Sequence, residues 1–158
     1  MFFYFLLGSF CMEMVSVFLA CVAGACFALQ AAVNGALRGT LHDGRYAAFF
    51  SICGTIITAA IFMLCVQPPL PALAVMRSAP WWNWIGGPLG ALIVLAGATL
   101  APRIGAAAFI ASLVAGQLFC SLLLDHYGLM NLPQQSITAG RLMGAALVFV
   151  GVVLVKYS

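Results

Sequence analysis

The stretch from Trp81 to Asp125 decides the fold, and it reads WWNWIGGPLGALIVLAGATLAPRIGAAAFIASLVAGQLFCSLLLD. It holds two apolar runs, residues 84–100 and 104–124, which are separated only by residues 101–103 (Ala-Pro-Arg). Each run is close to the ~20 residues that a helix needs to cross a bilayer core. Since so short a connection can only join neighbours, the stretch predicts an antiparallel pair of transmembrane helices.

Aromatic and small residues support a membrane location for this pair. Trp81, Trp82 and Trp84 stand at its beginning, where an apolar ring and a polar N–H suit the headgroup region. One amide, Gln117, lies inside the apolar runs and needs a polar partner or water. Glycines let other helices approach closely. The predicted helix pair contains six such glycines, which are Gly86, Gly87, Gly90, Gly97, Gly105 and Gly116.

The composition of the whole chain agrees with a membrane protein. The chain has 158 residues, of which 65% are hydrophobic and 6% charged, and its mean hydropathy is +1.17. Soluble domains carry ~25% charged residues, so these few charges cannot cover a surface that faces water. The length allows one helical bundle and no separate soluble domain. The net charge of +3 comes from scattered residues without a basic patch, which argues against a nucleic-acid partner.

The N-terminal region is too long for one simple span. Residues 1–11 are apolar but lack a basic segment and a clear small-x-small site, which argues against a cleaved signal peptide. A straight helix over residues 2–37 would be ~54 Å long, well beyond the ~30 Å hydrocarbon core. We therefore predict an N-terminal apolar extension at residues 1–13 and a five-helix transmembrane domain at residues 14–157, with a first helix over about 14–37.

The remaining elements follow from turn formers and prolines. They are a solvated linker at 39–45, a second helix at 46–66, a proline break after Gln67, a short interfacial helix at about 72–77, a loop at 125–138 and a last helix to about residue 157. Thr138 is the predicted cap of that last helix. The result is an all-α membrane protein with five transmembrane helices, whose termini lie on opposite sides.

The charges favour one orientation weakly. One side collects Arg38, Arg45, Arg103 and Lys156, and the other collects Arg77 and Arg141. The positive-inside rule places the first set and the C-terminus in the cytoplasm. The difference is small, which leaves insertion of some copies in the opposite orientation open.

Polar residues inside the spans are the main functional signal. An amide without a partner in hydrocarbon costs several kcal/mol, so these side chains must face protein or a wet cavity. One interpretation is a substrate pathway between the first, second and fourth spans. Its candidate residues are Gln30, Asn34, Ser51, Thr55, Gln117 and Ser121, with Thr58 beside them. The other interpretation is structural: interhelical bonds worth about 0.6 kcal/mol each, or bonds of Ser and Thr back to their own helix.

Small residues on the last span predict a contact between chains. Gly140, Gly144 and Gly151 are spaced four and then seven residues apart, which forms one smooth ridge. We predict that this ridge is the main dimer contact. The alternative is packing against the third or fourth span within one chain.

Enzymatic chemistry has little support in the sequence. No nucleotide-binding loop and no H-E-x-x-H or G-x-S-x-G motif occurs, and the six cysteines show no C-x-x-C spacing. Asp125 and His126 are adjacent, and adjacent residues do not face each other on a helix. We therefore predict no enzyme, no cofactor and no metal site, and we interpret this pair as the end of a solvated loop.

Several motifs in order resemble the YdcZ-like family, a five-helix branch of the drug/metabolite transporter superfamily. They are QAAVN (30–34), PWWNWIGGPLGA (80–91), APRIGAAA (101–108), AGQLFCSLLLDHYGL (115–129) and RLMGAALVFVGVVLV (141–155). The resemblance implies a half-transporter in the bacterial inner membrane that carries a small solute or metabolite by alternating access. It also implies a homodimer, which an antiparallel arrangement would suit, or pairing with a homologous short chain. A non-transporting scaffold or regulatory subunit is the alternative.

The resemblance also directs attention to Glu13. The small multidrug transporters, distant relatives in the superfamily, place in their first helix a membrane-embedded glutamate that exchanges protons for cationic drugs. Glu13 would lie at mid-membrane if the first span began near Phe3. The position of QAAVN near the helix end favours the membrane interface instead, and no acidic residue then remains deep in the bundle.

Overall fold

The protein is built from α-helices, as seen in a computed structural model that describes the backbone of residues 2–158 and the side chains of residues 12–158. The helices are α1 (Phe2–Leu41), α2 (Gly44–Val66), α3 (Leu73–Ser78), α4 (Gly86–Ile104), α5 (Ala106–Tyr127) and α6 (Ala139–Tyr157), with short 3-10 turns at Trp81–Trp84 and Leu129–Asn131. Five of the described helices are long and apolar enough to cross a membrane. The prediction of an all-α protein with five spans is confirmed, and α3 matches the short helix predicted near residues 72–77.

Helix α1 is longer than the predicted first span. It continues without a break through Glu13 and ends at Leu41. Its apolar span Met12–Leu41 has 30 residues, which corresponds to ~45 Å of helix and exceeds the ~30 Å core. The side chains of residues 1–11 lie outside the described residues, so the division between an extension at 1–13 and a domain at 14–157 stays a prediction.

The turn between α1 and α2 is shorter than the predicted linker, because only His42 and Asp43 separate the helices. The Asp43 carboxylate accepts a hydrogen bond from the Arg45 backbone N–H at 2.8 Å, which caps α2. The same carboxylate forms an ion pair with the Arg45 guanidinium at 2.7 Å. This hydrogen bonding holds the pKa of Asp43 below its usual range. The cap therefore stays charged at neutral pH and is lost only as the pH falls through that lowered pKa.

The turn between α4 and α5 lies at Gly105, and the prediction of a break at residues 101–103 is wrong. Helix α4 continues through Pro102 to Ile104. Gly105 has a φ of 90°, which side-chain-bearing residues rarely adopt, and this reverses the chain. Pro102 lies in the last turn of α4 and lacks an N–H, so the carbonyl of Ala98, four residues earlier, has no helical donor. The neighbouring carbonyl of Thr99 accepts a hydrogen bond from the Arg38 guanidinium at 3.2 Å.

Small residues hold α1, α2 and α4 together. One buried cluster packs Ala31 of α1 and Ala101 of α4 against Phe109 of α5, and another contains Ala47 and Ala48 of α2 with Ala98 of α4. The closest approach is at Gly44, where an added Cβ would lie 2.7 Å from Thr99 Cγ2. Gly35 faces Pro102 Cγ at 3.0 Å in the same way. Of the six hairpin glycines selected from the sequence, Gly97 is the one that faces another helix, at Ala31.

The packing of α1 and α2 is confined to one end of the bundle. The closed end is the part around residues 38–45 and 101–106, where α1 turns into α2 and α4 turns into α5. The opposite part, the open end, contains residues 12–16, 66–85 and 128–139. In a single chain every side chain over residues 12–26 of α1 and 54–66 of α2 is exposed. These helix halves therefore have no partner within the described chain.

Helix α6 packs on α5, and an ordered loop joins the two helices. The backbone N–H of Gln135 donates to the Asp125 carbonyl at 2.8 Å, and the N–H of Ile137 donates to His126 Nδ1 at 3.3 Å. Asp125 also forms an ion pair with Arg141 at 3.4 Å. Asp125 and His126 therefore anchor the loop. Thr138 Oγ1 accepts from the N–H of Arg141 at 3.3 Å, which confirms the predicted cap.

Candidate substrate groove

A groove between α1 and α2 collects most of the polar residues selected from the sequence. Its cavity measures about 600 Å³. The lining residues are Gln30, Ser51, Gly54, Thr55, Thr58, Ala59 and Phe62. The groove opens toward the surface of the single chain on the side where α1 and α2 are exposed.

The groove lies near the middle of the membrane. Thr55 follows the start of α2 at Gly44 by 11 residues, and Gln30 precedes the end of α1 at Leu41 by 11 residues. At 1.5 Å per residue each side chain is ~16 Å from the closed end, which is about half of a ~30 Å core. Hydrogen-bonding groups are expensive at this depth unless they have a function or a partner.

The floor of the groove is a hydrogen bond between the two helices. Asn34 is 5% exposed and is the one buried polar residue among the described side chains. Its Nδ2 donates to Ser51 Oγ at 3.1 Å. This bond fixes the distance between α1 and α2 on the closed-end side of the groove. It also leaves the Ser51 hydroxyl hydrogen free to donate.

The threonines present acceptors to the groove. Thr55 Oγ1 donates to the carbonyl of Ser51 at 3.0 Å, and Thr58 Oγ1 donates to the carbonyl of Gly54 at 2.9 Å. Each hydroxyl hydrogen is therefore occupied, and the oxygen lone pairs remain available. Gln30 has no side-chain hydrogen-bond partner among the described residues, so its amide can both donate and accept.

The polar residues of α5 lie elsewhere in a single chain. Ser121 donates back to the carbonyl of Gln117 at 2.8 Å. It lines a separate cavity of about 340 Å³ between α5 and α6, together with Asp125, Arg141 and Gly144. The Gln117 side chain is exposed and lines neither cavity. The structure thus brings together Gln30, Asn34, Ser51 and Thr55 from the predicted pathway, and it sets Gln117 and Ser121 apart from them.

Glu13 lies at the open end. It lines a wide space with Ser16 of α1, and Gln135 and Arg141 border the same space from the loop and the start of α6. The apolar span of α1 begins at Met12, directly before it. This position agrees with the interfacial alternative, and the groove lies well away from it.

The glycine ridge of α6 lies beside the face that packs on α5, and Gly144 borders the cavity between α5 and α6. A Cβ added at Gly140, Gly144 or Gly151 would meet no heavy atom of another element within 4 Å. Ala145 is the buried residue of α6 and points toward α5. Since successive helical residues differ by ~100° in direction, the ridge is turned aside from the face that packs on α5.

The sequence reasoning missed Phe62 in the groove. Phe62 follows Thr58 by four residues, so the spacing of Ser51, Thr55 and Thr58 would have identified it as the next member of the same face. Among the described side chains no cluster of three His, Cys, Asp or Glu residues lies close enough to hold a metal ion. The five described cysteines are free thiols.

A family described as "Putative inner membrane exporter, YdcZ" matches residues 15–154. The chain belongs to the YdcZ family. The groove lies inside the matched residues, while Glu13 lies outside them.

A relative supports this membership. Inner membrane protein YdcZ of Escherichia coli (strain K12) is 39% identical over 80 residues, which cover 51% of this chain and 53% of that protein. The matched part thus spans about half the length of this curated relative. No solved structure matches the chain. The resemblance stated from the motifs is confirmed, and the family together with five apolar spans makes this a multi-pass protein of the inner membrane.

Proposed function

We propose that this YdcZ-family chain moves a small solute across the inner membrane, with the groove between α1 and α2 as its substrate site. The observation that carries the proposal is a cavity of about 600 Å³, lined by hydrogen-bonding side chains, at mid-membrane depth. Transporters of several families bind their substrates near the bilayer midplane between helices. The description of the family as an inner membrane exporter supports transport as the activity.

The proposed working unit is an antiparallel homodimer. In a lone chain the groove would face lipid, and the amide of Gln30 would be left without a partner at a cost of several kcal/mol. A second copy covers the groove and the exposed halves of α1 and α2, and the α6 ridge gives it a smooth surface to pack on. The weak charge asymmetry between the two sides suits insertion in both orientations.

Alternating access is the proposed mechanism, and the two unequal ends of the bundle support it. At the closed end, α1, α2 and α4 pack through small residues and leave no path. At the open end the same helices separate, so the groove communicates with that side of the membrane. Movement of the free helix halves against the partner copy would close the open end and release the solute on the other side. Pairing with a homologous short chain is the alternative to the homodimer.

Gln30→Leu is expected to reduce solute flux roughly tenfold, because a lost hydrogen bond to the substrate leaves a site group unpaired. Gln117→Leu is the matched control, since it makes the same substitution on α5 outside the groove, and it is expected to change flux less than twofold. The measurement is counterflow in liposomes that contain purified protein, over a broad panel of solutes, with thermal stability of both variants in parallel. Equal flux for the two variants would remove the groove as the site, and a complete lack of flux for every solute would favour the scaffold function.

A further inference from the structure

The chemistry of the groove also specifies what class of solute it accepts. We propose that it selects an uncharged molecule that carries several hydroxyl groups, such as a sugar or a sugar alcohol. This inference rests on the proposed transport function and narrows it to a substrate class.

The first argument is the absence of a counter-charge near the groove. On the described parts of α1 and α2, Glu13 precedes Gln30 by 17 residues and Arg38 follows it by eight. These separations correspond to ~25 Å and ~12 Å along the helix. Arg38 is moreover occupied by the carbonyl of Thr99 at 3.2 Å. An ionic solute at mid-membrane depth would therefore lose its hydration without gaining an opposite charge, which is a large penalty.

The second argument is the pattern of donors and acceptors. The Ser51 oxygen accepts from Asn34, and its hydroxyl hydrogen has no acceptor among the described residues. Thr55 and Thr58 have free lone pairs, because their hydrogens are bonded to α2. Gln30 can do both. A hydroxyl group both donates and accepts, so a row of hydroxyls satisfies all of these groups in either direction.

The third argument is the apolar part of the lining. Phe62 lies on the open-end side of the threonines. Gly54 and Ala59 also line the groove, and their small side chains leave its surface on α2 flat. The C–H face of a sugar or sugar alcohol packs on such a surface while its hydroxyls turn toward the polar side chains. A cavity of about 600 Å³ has room for a six-carbon polyol.

Three probes of the same carbon skeleton test this class directly: sorbitol, which is neutral, gluconate, which is an anion, and glucamine, which is a cation. Each is offered in counterflow to liposomes that contain the full chain. The expected result is flux of sorbitol and at least tenfold less flux of the two ions. Preferred transport of gluconate or glucamine that Gln30→Leu abolishes would overturn the substrate class and leave the transport function standing. Failure of sorbitol to move, when other solutes do, would overturn the class in the same way.

Thr55→Val tests the hydrogen-bond pattern within the groove. The change keeps the side-chain shape, removes one acceptor and is expected to raise the KM for sorbitol by about tenfold, with kcat nearly unchanged. Thr40→Val makes the same change at the end of α1, outside the groove, and is expected to leave the KM unaltered. An equal KM in both variants would show that the Thr55 hydroxyl does not contact the solute. Thermal unfolding of both variants separates this effect from a loss of folded protein.

Discussion

Gly144→Leu is expected to abolish the dimer and reduce solute flux to the level of empty liposomes. Lipid tails are as apolar as leucine, so helices in a bilayer associate mainly through close packing rather than by hiding apolar surface. Gly144 lies at the centre of the α6 ridge, and a Cβ there meets no other element of its own chain within 4 Å. Gly144 borders the cavity of about 340 Å³ between α5 and α6, so a leucine has room in the monomer. At the proposed seam the same leucine separates the two backbones.

Ala146→Leu is the matched control for this prediction. Ala146 is also exposed on α6, but it lies on the other flank of the face that packs on α5. Cross-linking in native membranes measures the dimer fraction, and thermal stability in detergent shows whether the monomer is folded. An unchanged dimer fraction in Gly144→Leu would rule out the ridge as the seam. Loss of the dimer in Ala146→Leu alone would move the seam to the opposite flank.

Gly44→Ala is expected to lower the free energy of unfolding by about 1–3 kcal/mol, which is the usual cost of adding atoms to a tightly packed site. The new Cβ would lie 2.7 Å from Thr99 Cγ2, so α2 and α4 would have to move apart. Thr99→Ser removes that methyl group and keeps the hydroxyl that donates to the Leu95 carbonyl at 2.7 Å. The double variant is therefore expected to recover most of the lost stability.

Gly116→Ala provides a control of opposite sign. A Cβ at Gly116 meets no other element within 4 Å, and alanine is favoured over glycine inside a helix by roughly 0.5–1 kcal/mol. Chemical or thermal unfolding in one detergent measures the stability of the four proteins. They are the unmodified chain, Gly44→Ala, the double variant and Gly116→Ala. If Gly44→Ala is as stable as Gly116→Ala, or if Thr99→Ser brings no recovery, the contact between α2 and α4 is not as close as described.

The sequence was sufficient to predict the transmembrane helices, but it was insufficient to predict which helices pack against one another. Apolar runs bounded by prolines or turn formers predict five spans. Thr138 identifies the start of α6, because threonine is a favoured residue at a helix N-cap. The break in the hairpin was misplaced because Pro102 can occupy a last helical turn. The reversal depends instead on the backbone freedom of Gly105, which looks from the sequence like any other glycine of that region.

The candidate site shows the same division. Spacing of four residues predicts that Gln30 and Asn34 share one face of α1, and the structure places both against α2. Gln117 and Ser121 have the same spacing on α5, yet they lie apart from the groove. Periodicity predicts which residues share a face of a helix, but it does not predict which other helix that face contacts. That choice depends on tight contacts such as Gly35 with Pro102, which no pattern in the sequence records.

The unequal ends of the bundle have a consequence for energetics. In the proposed antiparallel pair, the closed end of one copy lies beside the open end of the other, on both surfaces of the membrane. An inward-facing state then requires the two copies to adopt different conformations, and exchanging these conformations between the copies gives the outward-facing state. By symmetry the two states have equal free energy when no gradient is present. The direction of net movement is then set by the solute gradient or by another ion gradient, and the resting populations of the two states are one half each.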